Sequence, residues 1–227
     1  MNPERIKASC IAYYNQMHEQ YLEDYRDELS KKPYDKDFLL RFIENIPFKG
    51  SVLDIGCGAA AQQARFLLSS GLKVTSIDLS EKCIETAKKN FTGIDFLRMD
   101  MTEMDFADES FDGIIAFYSI IHVPDEKLGT LFRRLNKILR INGKIAISVH
   151  AGNFYGYHNA GEMAVFYRTY TPEELTGHLS GHGFKIVEIN QRKPICDFEF
   201  QSERIYLIAE KIKGLPAVEH KKHQVNL

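Results

Sequence analysis

The sequence holds 227 residues, and Lys plus Arg (29) against Asp plus Glu (31) leaves a formal charge of −2. One domain with room for a small cap or insertion fits that length. The charge balance argues against a dedicated duplex nucleic-acid binder, and 44% hydrophobic residues argue against global disorder.

Residues Ile6, Cys10, Tyr13, Tyr14, Met17, Tyr21, Leu22 and Tyr25 recur at helical spacing and predict a helix from Pro3 to about Leu29. Pro33 interrupts, and a second helix is expected over Asp35–Asn45, ended by Pro47 and Gly50. The pattern then changes to short apolar runs alternating with helical stretches. Strands are expected at Ser51–Ile55, Lys73–Ile77, Ile94–Met99, Phe111–Phe117 and Lys144–Val149. Helices are expected over Ala59–Ser70, from the Ser80 cap to Asn90, over Asp125–Leu139 closed by Asn142-Gly143, and over Pro172–Ser180 capped by Thr171. Two last strands, Phe184–Asn190 and Glu203–Glu210, have no helix between them and should pair antiparallel. Strand–helix alternation predicts an α/β fold with a mostly parallel sheet and helices on both faces.

The expected organisation is an N-terminal helical lid (1–48), a core (49–212) and a flexible tail (213–227). Residues 151–171 are too long for a minimal connection and carry Phe154, Tyr155, Tyr157, Phe166, Tyr167 and Tyr170, which predicts a functional aromatic loop. Cys10, Cys57, Cys83 and Cys196 are scattered without a CxxC pair, so neither a disulfide framework nor a zinc site is expected. With no signal peptide and no spanning run, the expected location is cytoplasmic, without a membrane partner. His178 and His182, four apart with no Glu between them, read as surface residues, and no metal is expected. His220, His223, Lys221 and Lys222 fall in the tail.

Val52-Leu-Asp54-Ile-Gly56-Cys57-Gly58-Ala-Ala-Ala61 carries the strongest signal. A strand ends, two glycines allow a tight turn, and a helix begins, so a ligand can approach the main chain. Asp78 follows at the end of the next strand, where a carboxylate can accept both hydroxyls of a ribose. Glycines plus an acid also fit a dinucleotide site. Asp54 separates the two, because a buried carboxylate repels a pyrophosphate and favours a cationic amino-acid moiety. Adenosine bearing such a moiety is S-adenosylmethionine (SAM).

The ordered set Val-Leu-Asp54-Ile-Gly56-Cys57-Gly58, Ile-Asp78-Leu79-Ser, Met99-Asp100-Met101 and Phe111-Asp-Gly-Ile-Ile-Ala-Phe117-Tyr118 resembles the motifs of class I (Rossmann-like) SAM-dependent methyltransferases over about Ser51–Glu210. The resemblance implies a seven-stranded sheet of order 3-2-1-4-5-7-6 with strand 7 antiparallel, and S-adenosylhomocysteine (SAH) as product. It implies that Asp54, Gly56, Cys57 and Gly58 frame the methionine part, that Asp78 holds the ribose, and that Leu79 lies by the adenine. Asp100 would bond the adenine amino group, Met101 would pack nearby, and Phe117 with Tyr118 would lie under the sulfonium. Ala60 stands where many members have a third glycine.

Methyl transfer needs positioning and water exclusion, and a base only for a reluctant acceptor proton. The candidate bases are His122, after strand four, and His150, after strand five. Tyr14 and Tyr21, seven apart on one helical face, are expected to lid the cofactor. Tyr155, Tyr157 and His158 are the expected acceptor contacts. The expected reaction is methylation of O or N on a small molecule by a monomer or homodimer. The rival readings are an RNA or protein methyltransferase, a non-catalytic SAM- or nucleotide-binding module, and, disfavoured by Asp54, a dehydrogenase.

Overall fold

A computed structural model describes residues 1–160, 163–195 and 199–215. Cys196, residues 161–162 and His220, Lys221, Lys222 and His223 lie outside the described residues.

Among the described residues nine strands and six α-helices follow the chain as α1 (Pro3–Tyr25), α2 (Pro33–Ile43), β1 (Ser51–Ile55), α3 (Gln62–Ser69), β2 (Lys73–Asp78), α4 (Glu81–Asn90), β3 (Asp95–Arg98), β4 (Phe111–Phe117), α5 (Asp125–Ile138), β5 (Leu139–His150), β6 (Tyr155–Ala160), β7 (Met163–Arg168), α6 (Pro172–Gly181), β8 (Phe184–Arg192) and β9 (Arg204–Lys211). Seven strands form one sheet in the order β3-β2-β1-β4-β5-β9-β8. The first five pair in parallel, and β9 inserts antiparallel between β5 and β8. This is a Rossmann-like sheet with one reversed strand near its edge.

Period-two alternation sends neighbouring residues to opposite faces. Leu53 and Ile114 pack toward α5 and α6 with Leu131, Phe132, Leu135 and Leu175. Val52 and Ile115 pack on the other face with Phe38, Phe42, Leu67 and Ile84. Each such fully buried side chain contributes about 1.5–3 kcal/mol relative to exposure. Phe38, Leu39 and Phe42 of α2 are part of that core, so α2 belongs to the sheet layer and not to a lid.

Several features differ from the sequence reading. Helix α3 begins at Gln62, because Ala59–Ala61 continue the turn with Ala61 in the left-handed region (φ +43°). Strand β5 begins at Leu139, which pairs with Phe111, and Asn142 (φ +66°) and Gly143 lie inside it, beside the register shift in β4. The aromatic segment is a hairpin, β6 against β7, with Tyr157 opposite Phe166. His178 and His182 are half-buried, with their rings 5.4 and 5.9 Å from that of Phe132. Ser80 and Thr171 cap α4 and α6 as their positions suggest, accepting from the Cys83 and Glu174 amides. Among the described residues no helix is long and apolar enough to cross a membrane.

Candidate active site

A cleft opens at the carboxyl ends of β1, β2 and β4, where chain direction across the sheet switches and α/β folds bind ligands. Its floor is the glycine turn. The Gly56 amide donates to the Ile77 carbonyl (2.8 Å), and Gly56 and Gly58 adopt φ of +79° and +60°. A Cβ at Gly56 would lie 2.3 Å from Ser119 Cβ, and one at Gly58 would lie 2.9 Å from Tyr21 Cε1. Both positions therefore need glycine for conformation and for space. Ala60 takes no positive φ, so the missing third glycine causes no strain there.

Three carboxylates surround this turn in different states. Asp78 accepts the Gly58 amide on Oδ2 (2.9 Å) and the Ser80 amide on Oδ1 (2.8 Å), fixing its orientation at the cleft wall. Burial raises its pKa against those hydrogen bonds. Asp54 is buried beneath the turn, does not line the cleft, and its Oδ2 accepts no hydrogen bond among the described residues. Burial, with the nearby Asp78 charge, pushes its pKa up to about 8. At Asp100 burial acts upward, but Lys7 and Thr102 prevail and hold it below its usual value. Asp100 Oδ1 accepts from Thr102 N (2.7 Å) and Oγ1 (2.8 Å), and its Oδ2 pairs with Lys7 Nζ at 2.7 Å. Its carboxylate is thus tied to α1 instead of facing the cleft unengaged.

Helix α1 roofs the cleft with Ile6, Lys7, Cys10, Tyr14 and Tyr21. Asn15 Oδ1 accepts from Ser80 Oγ (2.7 Å), and His18 Nδ1 meets Thr86 Oγ1 (2.7 Å), so the roof rests on α4 through polar contacts. Tyr14 and His122 meet inside: the hydroxyl lies 2.9 Å from Nε2, and Nδ1 lies 2.6 Å from the Phe166 carbonyl. A carbonyl only accepts, so Nδ1 carries the proton, and in neutral His122 Nε2 accepts from Tyr14. Burial lowers the His122 pKa against the opposing Phe166 bond and keeps the ring neutral.

Leu79, Met101, Phe117 and Tyr118 also line the cleft, but Cys57 is buried away from it. Tyr118 sits at φ +49°, a strained conformation for a bulky residue, held by neighbours. Its hydroxyl lies 3.0 Å from that of Tyr206, which donates to Asp35 Oδ1 (2.6 Å) while Arg192 donates to Tyr206 (2.7 Å) and Glu199 (2.7 Å).

His150 does not open on the cleft. Its ring packs 4.9 Å from that of Tyr118, and Nδ1 meets Ser202 Oγ at 2.7 Å. Burial, then Arg204 and Lys32, bring its pKa down to about 3, so it is a poor base near neutrality. Tyr155 and Tyr157 do not reach the cleft either. They pack beside Phe166 (5.1 and 6.1 Å) on the cluster of Ile6 and Cys10, supporting α1. His158 lies on the hairpin 6.5 Å from Tyr167. Lys7, Thr102 and Ser119 are cleft residues that motif reading missed; a lone Lys in a charged helix, or a Ser after a strand, carries no distinguishing signal.

A family model described as a methyltransferase domain matches residues 52–143. Residues 52–143 are thus similar to a methyltransferase domain, on a sheet of the Rossmann-like order described above. The O-methyltransferase resE of Aspergillus sclerotiorum is 25% identical over 162 residues, 65% of this chain and 61% of that protein. The 27-O-demethylrifamycin SV methyltransferase of Amycolatopsis mediterranei is 32% identical over 102 residues, 42% of this chain and 37% of that protein. The chain thus spans less than two thirds of these relatives' lengths. The structure of the Burkholderia thailandensis 1,6-didemethyltoxoflavin-N1-methyltransferase, with bound 1,6-didemethyltoxoflavin and S-adenosylhomocysteine, superposes with a TM-score of 0.72 at 22% identity. That match covers 94% of this chain and 92% of that one, and it establishes a shared fold.

Proposed function

We propose that this chain is a SAM-dependent methyltransferase acting on O or N of a small molecule. The observation that carries the reading is the cleft's carboxylate pattern. Asp78 is braced by the Gly58 and Ser80 amides beside a glycine turn too close-packed for any Cβ, and Asp54 lies buried beneath that turn with an oxygen that has no partner among the described residues. The braced Asp78 matches the hydroxyl pair of a ribose, and a cationic sulfonium-bearing amino acid above the buried Asp54 would favour its charged form, which a pyrophosphate would oppose. The residues fit the cofactor as follows. Asp78 would take the ribose hydroxyls, Leu79 and Met101 would flank the adenine, and Gly56, Gly58, Phe117 and Tyr118 would frame the methionine portion. Asp100 has one Oδ1 and one Oδ2 arrangement already engaged by Thr102 and Lys7, so an adenine amino group would share it with Lys7.

Bound there, the cofactor supplies an activated methyl group on sulfur. The protein's own part is to orient and to dry the site. Helix α1 with residues 1–25 serves as the lid, and α2 onward as the core. Neutral His122, its tautomer fixed by Phe166, places Nε2 in the cleft to receive an acceptor proton. Tyr14, bonded to that nitrogen, orients the ring and holds the place of an acceptor hydroxyl or amine. The relatives' names favour small-molecule acceptors: an O-methyltransferase, a rifamycin-type O-methyltransferase and a toxoflavin-precursor N-methyltransferase. Incubating the chain with SAM and a panel of phenols, enols, amines and ring nitrogens, with SAH read by mass spectrometry, tests the reading. Acceptor-dependent SAH is the expected result, and none with any acceptor counts against it.

A further inference from the structure

Tyr118 belongs to two surfaces. One side lines the cleft, and the ring also packs on His150, which does not. Around His150 the chain gathers aromatic rings from three separate stretches: Tyr118 after β4, the β6–β7 hairpin and the segment before β9. Tyr167 lies 5.7 Å and Phe200 5.2 Å from the His150 ring. Phe154 lies 5.5 Å from Tyr167, and His158 6.3 Å from Phe200. Phe154 and Phe200 are 44% and 54% exposed, so this cup presents apolar ring surface to solvent next to the cleft. Contiguous exposed apolar surface of this kind marks binding sites.

We propose that this cup is the acceptor subsite and that it takes a planar, uncharged aromatic or heteroaromatic ring, laid against Phe200 and Tyr167 and hydrogen-bonded to His150. The proposal rests on the methyltransferase reading and names its substrate class. Three observations carry it. First, aromatic faces and edges favour another ring by offset or edge contacts. Second, the charges around the cup are already engaged. Lys32 is paired with Glu28, Arg192 with Glu199, and Arg204 donates to the Ser202 (2.8 Å) and Phe200 (2.9 Å) carbonyls. Among the described residues an ammonium acceptor finds no uncommitted carboxylate in this set, and the Arg192 and Arg204 Nε atoms that have no partner are buried away from a carboxylate or phosphate acceptor. Lys32 also stands 5.9 Å from the Tyr118 ring, where a second cation would be repelled. Third, Ser202 fixes His150 through Nδ1, and Nε2 has no hydrogen-bond partner among the described residues. One neutral polar atom in an aromatic cup orients a ring through one hydroxyl or N–H, leaving the atom that receives the methyl group to face His122 in the cleft. His150 is therefore a specificity-determining residue, and proton removal stays with His122.

The test uses the full chain saturated with SAH. Saturation-transfer NMR and titration are run with 1-naphthol as the planar probe and with choline and phosphoethanolamine as charged probes. We expect saturation transfer to the naphthol ring and none to choline. Phe200→Ala and Phe154→Ala should each weaken naphthol by about fivefold or more, from the loss of aromatic contacts. Tyr167→Phe, which keeps the ring, should stay within about twofold of the parent. SAH affinity should be unchanged in every variant, which also reports correct folding; Phe154 is exposed, so its variant keeps the test valid if Phe200→Ala fails to fold. Equal naphthol affinity in parent and Phe154→Ala, or preferential binding of choline or phosphoethanolamine, overturns the proposal while SAH binding leaves the methyltransferase reading standing. No SAH binding to the parent overturns both.

Discussion

Asp54→Asn separates what the buried carboxylate does for the fold from what it does for the ligand. In the folded, cofactor-free protein its pKa is pushed to about 8, against roughly 3.9 in an unfolded chain. Because the folded pKa is raised, the protonated form's advantage is fully present below about pH 4 and is lost as pH rises through about 8. At pH 7 the folded protein still holds a proton the unfolded chain has released, a difference of about 3 pH units or ~4 kcal/mol as an upper figure. Asn removes this titration. Its amide needs a partner, and Ser76, directly opposite on β2, has an Oγ that makes no hydrogen bond. An unsatisfied amide would take back about 1–3 kcal/mol, so the net gain near pH 8 is about 1–3 kcal/mol, or roughly 2–10 °C in Tm for a chain of this size. Circular-dichroism melts of both proteins from pH 5 to 9 without cofactor are the assay. The advantage of Asn should grow with pH up to about 8 and then level, and Asn should lose most of the stabilisation that SAM confers on the parent. A pH-independent difference, or undiminished stabilisation by SAM, refutes the reasoning.

Gly58→Ala places a Cβ 2.9 Å from Tyr21 at φ +60°, and should destabilise by about 1–2 kcal/mol from the backbone alone, with weaker SAH binding by calorimetry. His122→Ala should lower turnover by roughly 10²–10⁴ with SAH affinity little changed, as expected for a general base. Because burial lowers the His122 pKa, the rate should fall only as pH drops below the ordinary His value of about 6.5; a limb at or above that value argues for another base. Lys7→Met removes the 2.7 Å pair with Asp100, so amide exchange across α1 should quicken, and SAH should slow it again in the parent. Exchange that ignores both changes makes α1 a fixed structural helix.

The sheet was legible because its signals are local. Phe111–Phe117 is an apolar run with defined ends, and Gly56 and Gly58 mark the turn whatever surrounds them. Boundaries were lost where tertiary context overrode preference. Ala61 favours a helix, yet it takes a left-handed φ to keep the turn open, and Asn142-Gly143 resembles a helix end while Leu139 is already paired with Phe111. The motif residues Gly56, Gly58, Asp78, Leu79, Asp100, Met101, Phe117 and Tyr118 gather at one cleft, with Asp54 and Cys57 beneath it. The pairing of the other candidates was not legible. Tyr14 and His122 meet across 108 positions, and no spacing rule reports such a pair. His150 follows β5 directly, as expected, but the neighbouring Tyr118, Tyr167 and Phe200 rings enclose it. The 151–171 segment read as a loop because Gly156 and a polar mix hid its two-residue alternation; as a hairpin it turns Tyr155 and Tyr157 toward α1.

Calorimetric titration of the full chain with SAH and with NAD, repeated on Asp78→Ala, tests the central claim most directly. SAH should bind the parent and NAD should not, and loss of the Asp78 hydrogen bonds should weaken SAH by about 1.5–3 kcal/mol, roughly 10- to 150-fold, in a protein with an unaltered circular-dichroism spectrum. Binding of NAD in preference to SAH, or equal SAH affinity in the parent and in folded Asp78→Ala, would contradict it.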